Sequence, residues 1–202
     1  GACAAVTLDE ADRLLAMGFK PQLDKILSSL PSPRQTLLFT ATWPKAVRKL
    51  AAAYLRAEPT TLFLGGGDKE TGDGAEDACE LSANVAVAQS FVQATDDEKD
   101  NKLWNILGEL AEGSRVIVFA NTKRRVENLA RTFGEFGTCS VHGDKQQRER
   151  EAALADFVAN KRPLMVATDV AARGLDIKLV THVINYDMAR DVESYVHRIG
   201  RT

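Results

Sequence analysis

The sequence predicts an α/β protein made of two parallel-sheet domains, the first incomplete at its N-terminal side, joined by a flexible linker. Three observations carry that reading. Short apolar runs alternate with segments of helical periodicity, a Gly-rich acidic stretch breaks that rhythm, and a cluster of carboxylates follows directly on the first apolar run.

In chain order, Ala4–Leu8 reads as a buried strand and Gln22–Leu30 as a helix stopped by Pro31 and Pro33. Thr36–Phe39 is a second strand, and Lys45–Leu55 a helix opened by Pro44 at its first turn. Thr60–Leu64 is a third strand. The β-α-β-α-β order predicts a parallel sheet with helices on its faces. Three strands make a poor independent sheet, so residues 1–64 are expected to be the C-terminal part of a larger domain.

Gly65, Gly66, Gly67, Gly72 and Gly74 then alternate with Asp68, Glu70 and Asp73. Such a stretch buries too little apolar surface to offset the entropy of ordering it, and 65–83 is expected to be a linker.

From residue 84 the rhythm restarts. Val87–Val92 is a strand, and Asp96–Leu110 a helix with Thr95 as N-cap and acids in its first turn. Arg115–Phe119, Thr138–Val141, Leu164–Ala167 and His182–Asn185 are strands. Lys123–Phe136 and Gln146–Val158 are helices between them, and Asp191–Ile199 opens a last helix. Residues 84–202 therefore read as a nearly complete parallel α/β domain.

Composition excludes some classes. Apolar residues are 45% and charged residues 27% of 202, ordinary for a globular chain. No apolar run approaches the roughly 18 residues of a membrane span, and Gly1–Leu8 does not read as a signal peptide. Cys3, Cys79 and Cys139 share no metal-ligand spacing and read as reduced thiols of an intracellular protein, in nucleus, cytoplasm or both. The net charge of -2 hides an asymmetry: Arg115–Arg150 holds eight basic and four acidic residues. That local excess suits a polyanion, although a charge run is more often a solvated helix face.

The chemistry begins at Leu8-Asp9-Glu10-Ala11-Asp12. Carboxylates at the C-terminal end of a parallel strand sit where open α/β sheets bind ligands. An Asp there can hold Mg²⁺ on a nucleotide, and a neighbouring Glu can orient water. An acidic helix start, complementing the helix dipole, is the plainer alternative.

At this point a family resemblance emerges. Val6 to Arg13, with Met17-Gly18-Phe19 after it, resembles motif II of the DEAD-box ATP-dependent RNA helicases. Phe39-Thr40-Ala41-Thr42-Trp43-Pro44 is similar to motif III, with Thr for the usual leading Ser, and its Thr-Ala-Thr-Trp-Pro string is similar to the Dbp2-like branch. Val118-Phe119-Ala120-Asn121-Thr122 is similar to motif IV, and His142-Gly143-Asp144 with Gln147 and Arg150 matches the segment that follows. Ala167 to Ile177 reads as motif V, and Tyr195 to Thr202 as motif VI, cut short.

The resemblance implies two RecA-like domains, with ATP and Mg²⁺ as cofactors, RNA as a partner gripped mainly by its backbone, possible partners among RNP proteins, and no membrane. Residue by residue, it implies that Asp9 binds Mg²⁺ mostly through water and Glu10 positions the attacking water. Asp176 would bond the ribose, Arg201 would act as an arginine finger, and Arg198 would support that geometry; these join Asp9 and Glu10 as catalytic or ATP-binding groups. Asp12, Thr40 and Thr42 would couple the nucleotide site to the second domain, meeting His197. Gln147, Arg150, Thr168 and Arg173 would face RNA backbone or the domain interface.

Plain structural roles stand beside these. His142 reads as a hydrogen-bonded structural histidine, Asp144 as a turn holder with Gly143, and Asp169 as ordering its loop. Arg124 and Arg125 read as exposed helix charges, and Phe133, Phe136, Trp104 and Trp43 as packing. The sequence has no Gly-Lys dipeptide, hence no phosphate-binding loop. It is expected to be an incomplete fragment of an RNA-dependent ATPase that unwinds short duplexes or remodels RNA–protein complexes, inactive alone. As it stands it also reads as a non-catalytic RNA- or protein-binding module.

Overall fold

The computed structural model describes residues 3–16, 18–40, 42–43, 45–62, 84–172, 177 and 179–202. The expected linker 65–83, Pro44, Arg173 and Asp176 lie outside the described residues. The chain divides into two compact units, between Leu81 and Ser82.

In the first unit, β1 (Ala5–Leu8) and β2 (Gln35–Leu38) pair in parallel, Ala5 beside Gln35 and Leu8 beside Leu38. Parallel strands need a crossover, and two helices supply it: α1 (Ala11–Ala16) and α2 (Lys20–Ser28). Gly18 separates them at φ +78°, a left-handed backbone that favours glycine. After β2 comes α3 (Lys45–Ala51), which packs on α1. Leu8, Ala11, Leu15, Leu23, Val47 and Ala51 form the core, and Trp43 packs against it as expected. The expected third strand is not formed: Thr60, Thr61 and Leu62 lie outside any strand, and Phe63 and Leu64 outside the described residues. Leu62 is largely exposed.

The second unit holds a four-stranded parallel sheet ordered β4-β5-β3-β6. Its strands are β3 (Val116–Phe119), β4 (Thr138–Val141), β5 (Leu164–Ala167) and β6 (His182–Asn185). Along them run α4 (Lys99–Glu109), α5 (Lys123–Thr132), α6 (Gln147–Val158), the short α7 (Asp169–Ala172) and α8 (Val192–Ile199). The strand period of two sorts the core. Val116 and Val118 face α4 and α5, with Leu103, Leu107, Val126, Leu129 and Phe133. Ile117 and Phe119 face the other way, with Phe157 of α6 and Met165. Helices on both faces explain why β3 and β5 read as unbroken apolar runs; β4 is buried along its length as well, although Thr138 and Ser140 are polar. Each fully buried apolar side chain contributes about 1.5–3 kcal/mol.

Three expectations differ from what forms. Val87–Val92 is not a strand; Phe91 is 75% and Val92 60% exposed, and no ladder includes them. α4 starts later than predicted, with Glu98 at the N-cap; Thr95 does not cap it, and its backbone amide instead donates to the Glu98 carboxylate at 2.9 Å. The helix over Lys123–Phe136 ends at Thr132 and tightens into a 3₁₀ turn at Gly134–Phe136. Gly137, at φ +68°, ends that 3₁₀ turn in a left-handed conformation, and an added Cβ there would meet Pro163 at 3.0 Å. Trp104 is only half-buried (42% exposed), its ring edge-on to Phe136 at 5.0 Å.

Candidate functional site: motif clusters at the strand ends

Both units place their polar motifs just after the C-terminal ends of parallel strands. In the first unit, Asp9 and Glu10 follow β1 directly. Asp9 is exposed and accepts from the Glu10 amide at 2.9 Å. Glu10 sits at φ +49°, a left-handed conformation that costs a non-glycine residue about 1–3 kcal/mol and clusters at functional sites. It turns the chain from strand into α1, whose first amides need acceptors. The Ala11 amide donates to the Phe39 carbonyl (3.0 Å) and the Asp12 amide to Thr40 Oγ1 (3.3 Å). The loop after β2 therefore caps the helix after β1.

Asp12 closes that link. It is 5% exposed; Thr42 Oγ1 donates to its carboxylate, and Thr40 Oγ1 donates to the Thr42 carbonyl at 2.7 Å. Burial pushes the Asp12 carboxyl up, but hydrogen bonds from Thr42, the Arg13 amide and Thr40 outweigh it and hold it below the usual carboxylate range. Its stabilisation is therefore fully present above the unfolded value of about 4 and is lost as pH falls through the lower folded value. Thr42→Val should shrink the loss of stability as pH falls below about 4, measured by thermal melts across pH; an unchanged profile would show that the Thr42 bond does not set this titration.

In the second unit the organising side chain is Arg198, on the inner face of α8 and 2% exposed. All five guanidinium N–H groups find acceptors. Nε and one Nη reach Asp169 as a fork (2.5 and 2.8 Å), Nη1 reaches Asn185 Oδ1 (3.0 Å) and the Asp187 carbonyl (2.7 Å), and Nη2 also reaches Asn121 Oδ1 (2.8 Å). The guanidinium also lies 5.1 Å from the Phe119 ring. One residue thus ties together the chain after β3, β5 and β6. Asp187 extends the set by accepting from the Asn121 amide at 2.9 Å and pairing with Lys99 at 3.5 Å. Asp191 caps α8 by accepting from the Ser194 amide at 2.6 Å.

His197 and Arg201, both partly buried, flank Arg198 on α8 and just after it. Gln147 is exposed and Arg150 half-buried on the first turn of α6; Arg150 donates to Gln147 (3.3 Å) and to the Ala171 carbonyl (3.5 Å). Thr168, at the end of β5, donates its amide to the Val141 carbonyl at 3.2 Å. Gln147, Arg150 and Thr168 thus sit at neighbouring strand ends of one edge. His142 is buried and bonded to Glu127, and Asp169 holds Arg198, as structural readings of both require. Asp144 pairs with Lys123 rather than only holding a turn, and Arg125 lies over the Tyr186 ring at 5.5 Å. Burial pushes the Cys139 thiol up to about 11, which makes it inert. Among the described residues no cluster of three or more metal-ligating side chains forms, and no helix is long and apolar enough to cross a membrane.

Residues 2–50 match the model for DEAD/DEAH box helicases and residues 98–202 that for the helicase conserved C-terminal domain. The chain belongs to the DEAD-box helicase family. DEAD-box ATP-dependent RNA helicase 40 of Oryza sativa subsp. japonica is 48% identical over 198 residues, covering 98% of this chain and 24% of the relative. DEAD-box ATP-dependent RNA helicase 46 of Arabidopsis thaliana is 46% identical, covering 98% and 29%. The chain thus spans about a quarter to a third of these DEAD-box relatives. S. cerevisiae Dbp5 bound to RNA and ADP BeF3 superposes with a TM-score of 0.77 at 29% identity, over 98% of this chain and 49% of that one. Prp28 of Chaetomium thermophilum bound to ADP gives 0.52 at 36%, over 99% and 45%. The α/β units are of the RecA-like kind found in DEAD-box helicases.

Proposed function

We propose that this chain is the part of an RNA-dependent ATPase running from motif II to motif VI, and that the whole protein separates short RNA duplexes or remodels RNA–protein complexes. In this reading 1–64 closes the first RecA-like domain, 65–83 links, and 84–202 is the second. The observation that carries it is the pair of strand-end clusters: Asp9 and Glu10 after β1, tied through Asp12 to Thr40 and Thr42, and Arg198 with Arg201 on and after α8.

Phosphoryl transfer needs little covalent chemistry from protein; it needs a metal, a placed water and cations on the developing charge. Asp9 fits Mg²⁺: it is exposed, and that ion keeps most of its waters and takes one or two carboxylates plus phosphate oxygens. Bound there, Mg²⁺ would neutralise charge on the phosphates. Glu10 orients water, Asp176 bonds the ribose, and Arg201 stabilises transition-state charge. Arg198 has no free donor left, so it acts by holding α8 rather than by touching nucleotide. Asp12, Thr40, Thr42 and His197 couple nucleotide to RNA. Gln147, Arg150, Thr168 and Arg173 grip RNA backbone. RNA and a nucleotide analogue lie on the Dbp5 relative, and the same ligand classes are assigned to this chain. We place the protein inside the cell, in nucleus, cytoplasm or both. A position near the Dbp2-like branch rests on the Thr-Ala-Thr-Trp-Pro string alone.

The test is RNA binding by the chain itself, followed by fluorescence anisotropy at several salt concentrations. Backbone contacts position without specifying, so unrelated single strands should bind about equally. Few neutralised phosphates predict a shallow slope, with log Kd rising by roughly 0.7 per phosphate for each unit of log salt. Strong preference for one sequence, or no binding at any salt, counts against the reading. Because the sequence lacks a phosphate loop, a non-catalytic RNA-binding module is the second reading, separated from the first by the turnover measurement below.

A further inference from the structure

The loop between β4 and α6, residues 142–146, delivers Gln147 and Arg150 to the sheet edge where Thr168 sits. α5 holds that loop at two points. One is the Lys123–Asp144 ion pair, whose side chains are 53% and 66% exposed and which therefore contributes little. The other is Glu127. A single oxygen, Oε1, accepts from Ser140 Oγ (2.8 Å) and from His142 Nε2 (2.8 Å), and Lys145 Nζ lies 3.3 Å away. Lys145 also donates to Ser140 Oγ at 2.6 Å, closing the cluster. The Asp144 amide donates to His142 Nδ1 at 3.3 Å, which leaves the proton on Nε2 and makes His142 the donor to Glu127. Burial pushes the Glu127 carboxyl up, but Ser140, His142 and Lys145 more than offset it, and the group stays below its ordinary range.

From the loop the geometry passes into α6 without slack. The Gln146 amide donates to the Glu149 carboxylate at 2.8 Å and the Arg150 amide to the Gln146 carbonyl at 3.1 Å. Arg150 then reaches across to Ala171. We infer that Glu127 is a positioning residue for RNA: it fixes the β4–α6 loop on α5 and thereby sets where Gln147 and Arg150 stand relative to Thr168. The inference rests on the RNA-binding reading above, but the holding of the loop is measurable without RNA.

The test uses the whole chain with Glu127→Ala, Glu127→Asp and Glu127→Gln. Gln keeps an Oε1 acceptor for Ser140 and His142, whereas Asp keeps the charge but loses the reach. Binding to a single-stranded RNA should weaken about tenfold in Ala and Asp, as for one misplaced charge-assisted contact, and stay within about threefold in Gln. The salt slope should fall by about 0.7, one phosphate, in Ala and Asp only, a change that lowered stability alone does not produce in the folded fraction. Amide hydrogen exchange should accelerate over residues 142–150 in Ala and Asp and not over β3. Should Ala fail to fold, Asp carries the comparison. Equal losses in Asp and Gln relative to each other, or unchanged affinity and exchange in both Ala and Asp, overturn the inference. A wild-type chain that binds no RNA sinks the RNA reading instead, and the exchange data then decide the positioning alone.

Discussion

Glu10→Gln or Arg201→Ala in the full-length helicase should lower RNA-stimulated ATP turnover by about 10²–10⁴-fold for the first and about 10³–10⁵-fold for the second. The 202-residue chain alone should hydrolyse ATP at background. The warrant is the distribution of parts. Glu10 is held in a left-handed backbone at the end of β1, a cost sustained by the Ala11–Phe39 and Asp12–Thr40 bonds around it. Gln at the same position keeps size and backbone but cannot take a proton or polarise water as a carboxylate does. Arg201 follows α8, whose orientation Arg198 fixes. The chain itself has no Gly-Lys dipeptide and so nothing to cradle the β- and γ-phosphates. Without them Asp9 holds Mg²⁺ poorly. Turnover assays with melts alongside separate lost chemistry from lost folding. Robust hydrolysis by the chain alone, or full-length variants as active as wild type, would move the assignment to the binding-module reading.

Arg198→Ala should destabilise the second unit by about 3–5 kcal/mol, the usual cost of removing one partner from a buried, hydrogen-bonded pair. The loss is large because the acceptors remain. Asp169, Asn121 and Asn185 keep their oxygens at the strand ends and lose the fork that satisfied them. Arg198→Lys should recover little of it: an ammonium on a flexible stem cannot meet acceptors arranged for a planar, five-donor guanidinium. Chemical denaturation of the chain, with Ile199→Val as a conservative packing control, measures this. A loss under about 1 kcal/mol for Arg198→Ala would mean the cluster is rigid without its centre.

These two arginines show where sequence reading stops. Arg201 and Arg198 lie three positions apart in one motif string, whose resemblance implies a finger role for the first and a supporting role for the second but not the partners of either. The i, i+4 pair of Ser194 and Arg198, both buried on α8, was available as a signal that Arg198 faces inward. Its acceptors were not, since Asn121, Asp169, Asn185 and Asp187 are scattered over the chain and meet only after the sheet forms. Glu127 belongs to no motif in the sequence. What distinguishes it is the Ser140 and His142 pair one strand away.

Val116–Phe119 and Leu164–Ala167 were legible because they are buried on both faces, and an unbroken apolar run admits few other fates. Thr138–Val141, Leu164–Ala167 and His182–Asn185 form strands over the predicted residues. The predictions that failed, at Val87–Val92 and in the described part of Thr60–Leu64, were short segments whose strand form depends on a neighbouring strand to pair with. The sequence by itself determined the family and the α/β rhythm, because these are properties of local pattern and motif. The tertiary structure alone decided the strand order β4-β5-β3-β6, the capping of α1 by the loop after β2, and the partner set of Arg198. Those depend on hydrogen-bonding groups distant in sequence finding one another, and no local periodicity encodes which distant group an amide, a carboxylate or a guanidinium will meet.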